Sequence, residues 1–333
     1  MREQIIKTAK KFDADIVGFA PADRFDKNSD IFKILPTAKT VIGLGFRVLR
    51  GSYRCIEEGT TYYQYTTNAV ETIEEVVIPY TLVCVSNVIE DNGFIAVPQR
   101  RNQTIMKEEN STNPEVDYND IFRGITIENQ IDFKECAVKC GLGELGLSGT
   151  ILNDEYGPFL RYAFIITDAE LEATELTKPH LCDKCGKCIE GCPGNAISKD
   201  GKLDSWRCAV YYNGANGSKN PFMPPNAYED FEDRLDIING TAKFDIDGAK
   251  DILDNTYFYP PVKHFYRTSI CGRACDRACY IHLEEKGVLK KKFHKKFREG
   301  EDWKLSTKQY VTGEREKEWE FSNKTWNLHI KNQ

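Results

Sequence analysis

Cys182-Asp-Lys-Cys185-Gly-Lys-Cys188-Ile-Glu-Gly-Cys192-Pro193 is the stretch on which the reading of this chain turns. Its spacing, C-x2-C-x2-C-x3-C-P, suits a cubane of iron and sulfide: three thiolates on a tight loop reach three irons of one cluster, and the fourth turns away to serve another. Structural zinc sites are built from paired C-x2-C units instead. One such run needs a partner, because its own cluster is one ligand short and Cys192 belongs elsewhere. The chain supplies four further thiols, the isolated Cys208 and the run Cys271-Gly-Arg-Ala-Cys275-Asp-Arg-Ala-Cys279. The count closes at eight, giving two [4Fe–4S] clusters, one on Cys182, Cys185, Cys188 and Cys279 and one on Cys192, Cys208, Cys271 and Cys275. An exchange of Cys275 and Cys279 between the two sets stays open, since the second run has x3 gaps and no proline after Cys279.

Working outward, the chain has 333 residues, is 41% hydrophobic and carries twelve cysteines. A disulfide framework needs an oxidising compartment and usually a smaller chain, so metal ligation is the better account of the cysteines. The formal charge is -6, which argues against a nucleic-acid partner. The most apolar stretch, residues 76–88, is broken by Pro79, Ser86 and Asn87 and is too short for a bilayer span. No membrane contact is expected. The opening residues show no apolar signal core and no twin arginine, which predicts a cytoplasmic protein.

Residues 3–12 have helical spacing, and 15–20, 41–46 and 160–167 are short apolar runs, so one sheet covered by helices is predicted, with a further short strand at 94–97. Residues 68–91 form the longest helical candidate, kinked or restarted at Pro79 and stopped at Asn92-Gly93. Residues 100–129 read as loops, and 132–140 as a helix carrying Cys136 and Cys140 on one face. Those two thiols and Cys84 follow no ligand spacing and read as buried packing. Gly141-x-Gly143-x-x-Gly146 matches a dinucleotide fingerprint literally, but no strand leads into it, so the glycines read instead as letting backbone pass close to a large flat cofactor. A lysine-rich run from Lys286 to Arg298 reads as a solvated helix or tail, or as a docking patch for an acidic electron donor.

The order of several phrases resembles the superfamily of cobalamin-dependent reductive dehalogenases and epoxyqueuosine reductases. These are Ala14 to Ala20, Leu35 to Ile42, Cys140 to Gly146, Tyr156-Gly157-Pro158-Phe159-Leu160-Arg161, Thr167-Asp168, and the cysteine pattern. The resemblance implies an α/β (α+β) chain: a nitroreductase-like corrinoid-binding domain over 1–172, then a ferredoxin-like two-cluster domain over 173–285. A polar segment, 213–254, is inserted in the second domain, and a charged extension covers 286–333. It further implies a cytoplasmic, dehalogenase-like oxidoreductase in which the clusters reduce cobalamin to Co(I) to act on a small organic substrate, with a low-potential donor such as a ferredoxin or flavodoxin. Gly141, Leu142, Gly143, Gly146, Tyr156 and Gly157 are the implied corrinoid contacts. A dehalogenase-like tyrosine assisted by a basic residue makes Tyr62, Tyr63 and Tyr65 candidate proton donors, while Arg161, better placed than Arg123 because it closes the shared Gly-Pro-x-x-Arg phrase, is a candidate to orient an anionic substrate or the corrin side chains. The aspartate phrase of epoxyqueuosine reductases is absent, the stretch reading Ile125-Thr126-Ile127-Glu128-Asn129-Gln130, so Glu128 would have to substitute. A two-cluster electron carrier without corrinoid, and an epoxyqueuosine reductase, are the competing readings.

Overall fold

The computed structural model describes residues 1–57, 62–100, 131–256 and 268–298. Its centre is a four-stranded sheet in the order β1-β2-β6-β3, formed by β1 (Ile16–Pro21), β2 (Thr40–Arg47), β6 (Leu160–Thr167) and β3 (Ala96–Gln99), with every pairing antiparallel. β4 (Glu144–Leu145) and β5 (Ile151–Leu152) make a separate two-stranded ladder. The architecture is mixed α/β.

Strand side chains alternate in direction, so each central strand feeds two cores. Ile42, Leu44, Ala163 and Ile165 face the helices Arg2–Lys11 and Ile78–Asp91, whereas Val41, Phe164 and Ile166 face the helix Phe133–Lys139. Coverage on both sides explains why these strands read as unbroken apolar runs, although antiparallel sheets commonly leave one face wet. Phe164, fully buried, meets Phe133 edge to face at 4.9 Å. Burial of each such side chain is worth about 1.5–3 kcal/mol.

The long helix begins at Tyr62 rather than near residue 68 and runs unbroken to Asp91, thirty residues that are long and apolar enough to cross a membrane by length and composition alone. Ile78, Leu82, Val85 and Ile89 instead pack on the sheet. The helix continues through Pro79. The turns over Tyr65–Glu71 and Ile73–Val77 are π-helical, and α-helical turns resume at Ile78. The wider turns accommodate a proline ring that would otherwise press on the preceding turn and that offers no N–H to it. Tyr62, Tyr63 and Tyr65 therefore lie inside the helix, not ahead of it.

A third core joins the two halves of the chain. Tyr53, Tyr65 and Phe159 pack with Leu181, Ile270, Tyr280, Leu283, Leu289 and Phe297. Phe159 stacks on Tyr53 at 4.3 Å and on Tyr280 at 4.2 Å. The run Lys286–Arg298 is accordingly not a free tail or solvated helix: Leu289 and Phe297 are buried while the lysines between them remain exposed. A fourth core shows that the inserted polar segment is itself folded, with Ile237, Ala249 and Ile252, from the helices Arg234–Asn239 and Ile246–Asp254, closing on Val210 and Tyr211.

Candidate metal centre

The thiols that the spacing singles out gather in two places. Cys182, Cys185, Cys188 and Cys279 line one small cavity, with Gly146 and His282 at its edge. Burial pushes the Cys279 thiol up, Asp276 adds to this, and the thiols of Cys188, Cys182 and Cys185 contribute in turn. Around Cys271 the neighbours are different. Its thiol is pushed up to about 12 by burial, opposed by the backbone N–H of Ala274, with Cys208 and Cys192 adding. Cys275 is pushed well up by burial and then by Asp276, with Cys271 and Cys208 among its neighbours.

Local structure explains the grouping. The helix Ala274–Glu285 carries Cys275 near its start and Cys279 one turn later, so it stands between the two groups. The short helix Lys187–Glu190 approaches it closely at Gly191, where a Cβ would lie 2.9 Å from the Ala278 methyl. Backbone N–H groups point at three of the sulfurs: Leu147 donates to Cys182 Sγ at 3.3 Å, Ala196 to Cys192 Sγ at 3.3 Å and Ala274 to Cys271 Sγ at 3.4 Å. Donors of this kind favour thiolate and tune a cluster bound there. Four thiols per site, with backbone N–H donors on three of the eight sulfurs, are a donor set that fits two cubanes.

Two carboxylates that the spacing argument passed over hold this region together. Glu144, 3% exposed, accepts from the backbone N–H groups of His180 (2.5 Å), Leu181 (3.0 Å) and Cys182 (2.7 Å), fixing the entry to the first cysteine loop. Asp276, 1% exposed, accepts from Thr150 Oγ1 at 2.9 Å and pairs with Arg273. The sequence signal for Glu144 was a lone acid amid Gly141-Leu142-Gly143 and Leu145-Gly146, which reads as a turn and hides the acceptor.

The glycine turn makes close contacts within the chain. A Cβ on Gly141 would meet the Glu175 carbonyl at 2.3 Å, and one on Gly143 the Leu152 carbonyl at 2.3 Å, while Leu142 is buried in the core beneath the sheet. The absence of a Cβ at Gly141 and Gly143 lets the backbone at Glu175 and Leu152 approach closely. Gly146 abuts the Leu152 side chain, Gly157 is flanked by Leu283, Leu289 and Tyr280, and Tyr156 donates its hydroxyl to Asp15 Oδ1 at 3.3 Å. Cys136 and Cys140 are buried apolar residues beside that turn, whereas Cys84 is only half-buried.

The candidate catalytic residues separate. Tyr62 is buried edge-on to Phe222 at 5.5 Å and Tyr63 is half-buried. Tyr65 is fully buried, and its hydroxyl has no hydrogen-bond partner among the described residues. Burial holds that phenol well above its ordinary range, Tyr53 and Tyr212 add to the effect, and Arg161 and Arg273 pull against it. Arg161 in turn pairs with Glu74 at 3.4 Å. Burial works against its charge, but Tyr65 and Glu74 favour it and the guanidinium stays protonated. Arg161 and Arg273 thus both lie within electrostatic reach of Tyr65, while their ion pairs are made with Glu74 and Asp276. Glu128 and Arg123 lie outside the described residues.

No protein-family model matches the chain. Sequence comparison finds the epoxyqueuosine reductase of Prochlorococcus marinus, 33% identical over 79 residues, which are 24% of this chain and 25% of that protein. It also finds the tetrachloroethene reductive dehalogenase of Desulfitobacterium hafniense, 40% identical over 72 residues, 20% of this chain and 13% of that one. The match therefore spans at most about a quarter of these relatives' length, and it supports the resemblance to their superfamily. Among solved structures, an epoxyqueuosine reductase with an epoxyqueuosine-modified tRNA stem loop aligns with a TM-score of 0.44 at 14% identity, covering 86% of this chain and 82% of that one. A score of that size lies below the level at which superposition alone establishes a shared fold.

Proposed function

We propose that this chain is an iron–sulfur oxidoreductase of the reductive dehalogenase and epoxyqueuosine reductase kind, acting on a small organic substrate. Two [4Fe–4S] clusters would be held by Cys182, Cys185, Cys188 and Cys279, and by Cys192, Cys208, Cys271 and Cys275. The observation that carries the reading is the gathering of eight thiols into two groups of four flanking one helix. When bound, such clusters supply single electrons at low potential.

The chain's own residues supply the rest. Glu144 fixes the loop that presents the first three thiols, and N–H donors steady the sulfurs. In this reading Tyr65, kept protonated by burial, gives up a proton, and Arg161 and Arg273, which favour its ionised form, stabilise the phenolate left behind. Tyr65→Phe is expected to lower turnover by about 100-fold or more while leaving the iron content unchanged.

Cobalamin is the acceptor that the superfamily resemblance implies, yet of the residues implied to contact it Gly141 and Gly143 have their Cβ directions filled by backbone and Leu142 is buried in the core. That packing favours the second reading, a two-cluster electron carrier without corrinoid. Titration of the iron-loaded protein with cob(II)alamin under anaerobic conditions separates the two. A base-off Co(II) signal in electron paramagnetic resonance at stoichiometric protein supports the corrinoid-dependent reductase; its absence, with about eight irons per chain and reversible one-electron titration, leaves the carrier. Zinc in place of iron would overturn both.

A further inference from the structure

Of the eight clustered thiols, Cys185 is the exposed one. The surface around it is basic out of proportion to the chain. Over residues 178–190 and 281–298, Lys and Arg number ten against four Asp and Glu, in a protein of formal charge -6. The two segments form one continuous surface because shared carboxylates join them. Asp183 Oδ2 accepts from His282 Nε2 and Lys286 Nζ, each at 2.9 Å, and Asp154 lies 3.4 Å from His180 Nε2 and 2.6 Å from Lys290 Nζ. Lys184, Lys187, Lys291 and Lys292 are exposed on this surface, and Lys187 lies within electrostatic reach of Cys185. The buried Leu289 and Phe297 pin the lysine run in place, so its charges are held beside the cysteine loop.

Resting on the two-cluster reading above, we infer that this surface docks an acidic one-electron carrier protein and that electrons enter at the cluster on Cys182, Cys185, Cys188 and Cys279. Electron transfer falls steeply with distance, so the entry point is where a cluster ligand reaches the surface. A cationic rim there steers an anionic carrier and raises its rate of encounter. Interfaces of this kind are small and transient, which suits a charged rim. The step balances: a flavodoxin hydroquinone anion gives up one electron to become the neutral semiquinone, and the oxidised cluster gains that electron.

The experiment mixes the anaerobic, iron-loaded full chain with an acidic flavodoxin in its hydroquinone form and follows the blue semiquinone by stopped flow. Iron content and the paramagnetic resonance of the dithionite-reduced protein are measured first; a chain without clusters refutes the two-cluster reading and this inference with it. With clusters present, the second-order rate constant is expected to fall about tenfold or more between 50 and 500 mM KCl, as screened steering requires. The triple variant Lys184→Glu, Lys291→Glu, Lys292→Glu should lose at least tenfold at low salt, and the milder Lys→Gln triple an intermediate amount. Both should keep their iron and their reduction by photoreduced deazaflavin, a small neutral donor. Lys7→Glu, Lys10→Glu, Lys11→Glu on the first helix should behave as the wild type. An unchanged flavodoxin rate in an iron-replete triple variant would overturn the docking assignment. So would loss of tRNA binding in that variant with the flavodoxin rate intact, since the surface would then belong to RNA.

Discussion

Glu144 and Asp183 both accept hydrogen bonds at the first cysteine loop, yet burial separates what they are worth. Glu144 is 3% exposed and meets three backbone donors, so replacing it leaves those donors facing an amide. Glu144→Gln should cost about 2–3 kcal/mol and impair iron uptake, read by thermal unfolding and by iron analysis. Asp183 lies in water, where its pairs with His282 and Lys286 hold its carboxyl far below the usual range, and solvent screens most of that gain. Asp183→Asn should therefore cost no more than about 0.5 kcal/mol. Its contribution is present above the unfolded carboxylate's pKa and disappears only as the pH falls through the lower folded value. Tyr65 tests the opposite case. Its buried hydroxyl lacks a partner among the described residues, so Tyr65→Phe should raise stability by about 1 kcal/mol, measured by denaturant unfolding. A drop in stability would show that the hydroxyl is bonded in solution.

At the scale of elements, the helix Ala274–Glu285 is the one that two sites share, because Cys275 and Cys279 are four residues apart on it while the groups they join are distinct. Cys188→Ser and Cys208→Ser should each remove about half of the iron, and the double variant nearly all of it, because losing one thiolate empties a cubane without emptying its neighbour. Loss of all the iron in either single variant would mean that the sites are not independent. The cysteine spacing made this grouping readable because ligand geometry is local in the first run. The long helix was less readable. Residues 62–67 are polar and β-branched around their tyrosines and carry little helical periodicity, and Pro79 argued for a break that π-helical turns avoid.

In the whole molecule, the third core and a buried charge cluster tie the C-terminal half to the sheet. Glu57 receives Arg277 and Arg298, the latter through Nη2 at 2.5 Å, and only 3% of the Glu57 side chain is exposed. Glu57→Ala would leave Arg277 buried without a counter-charge and should cost about 3–5 kcal/mol. Iron removal should act on the same half: hydrogen exchange at residues 181–212 and 270–285 should speed up while β2 and β6 stay protected, because metal binding and local folding are coupled only where the thiols lie. Residue order alone determined the apolar strands, the pairing of a tight four-cysteine run with a later group, and the resemblance that names the chemistry, since each depends on neighbours close in the chain or on thiol spacing. Tertiary structure alone decided which carboxylates anchor the loops, that the glycine turn packs on Glu175 and Leu152, that Arg161 pairs with Glu74, and that the lysine run lies beside the first cysteine loop. Those relations join residues far apart in sequence, and burial, which sets their energies, exists only once the chain has folded.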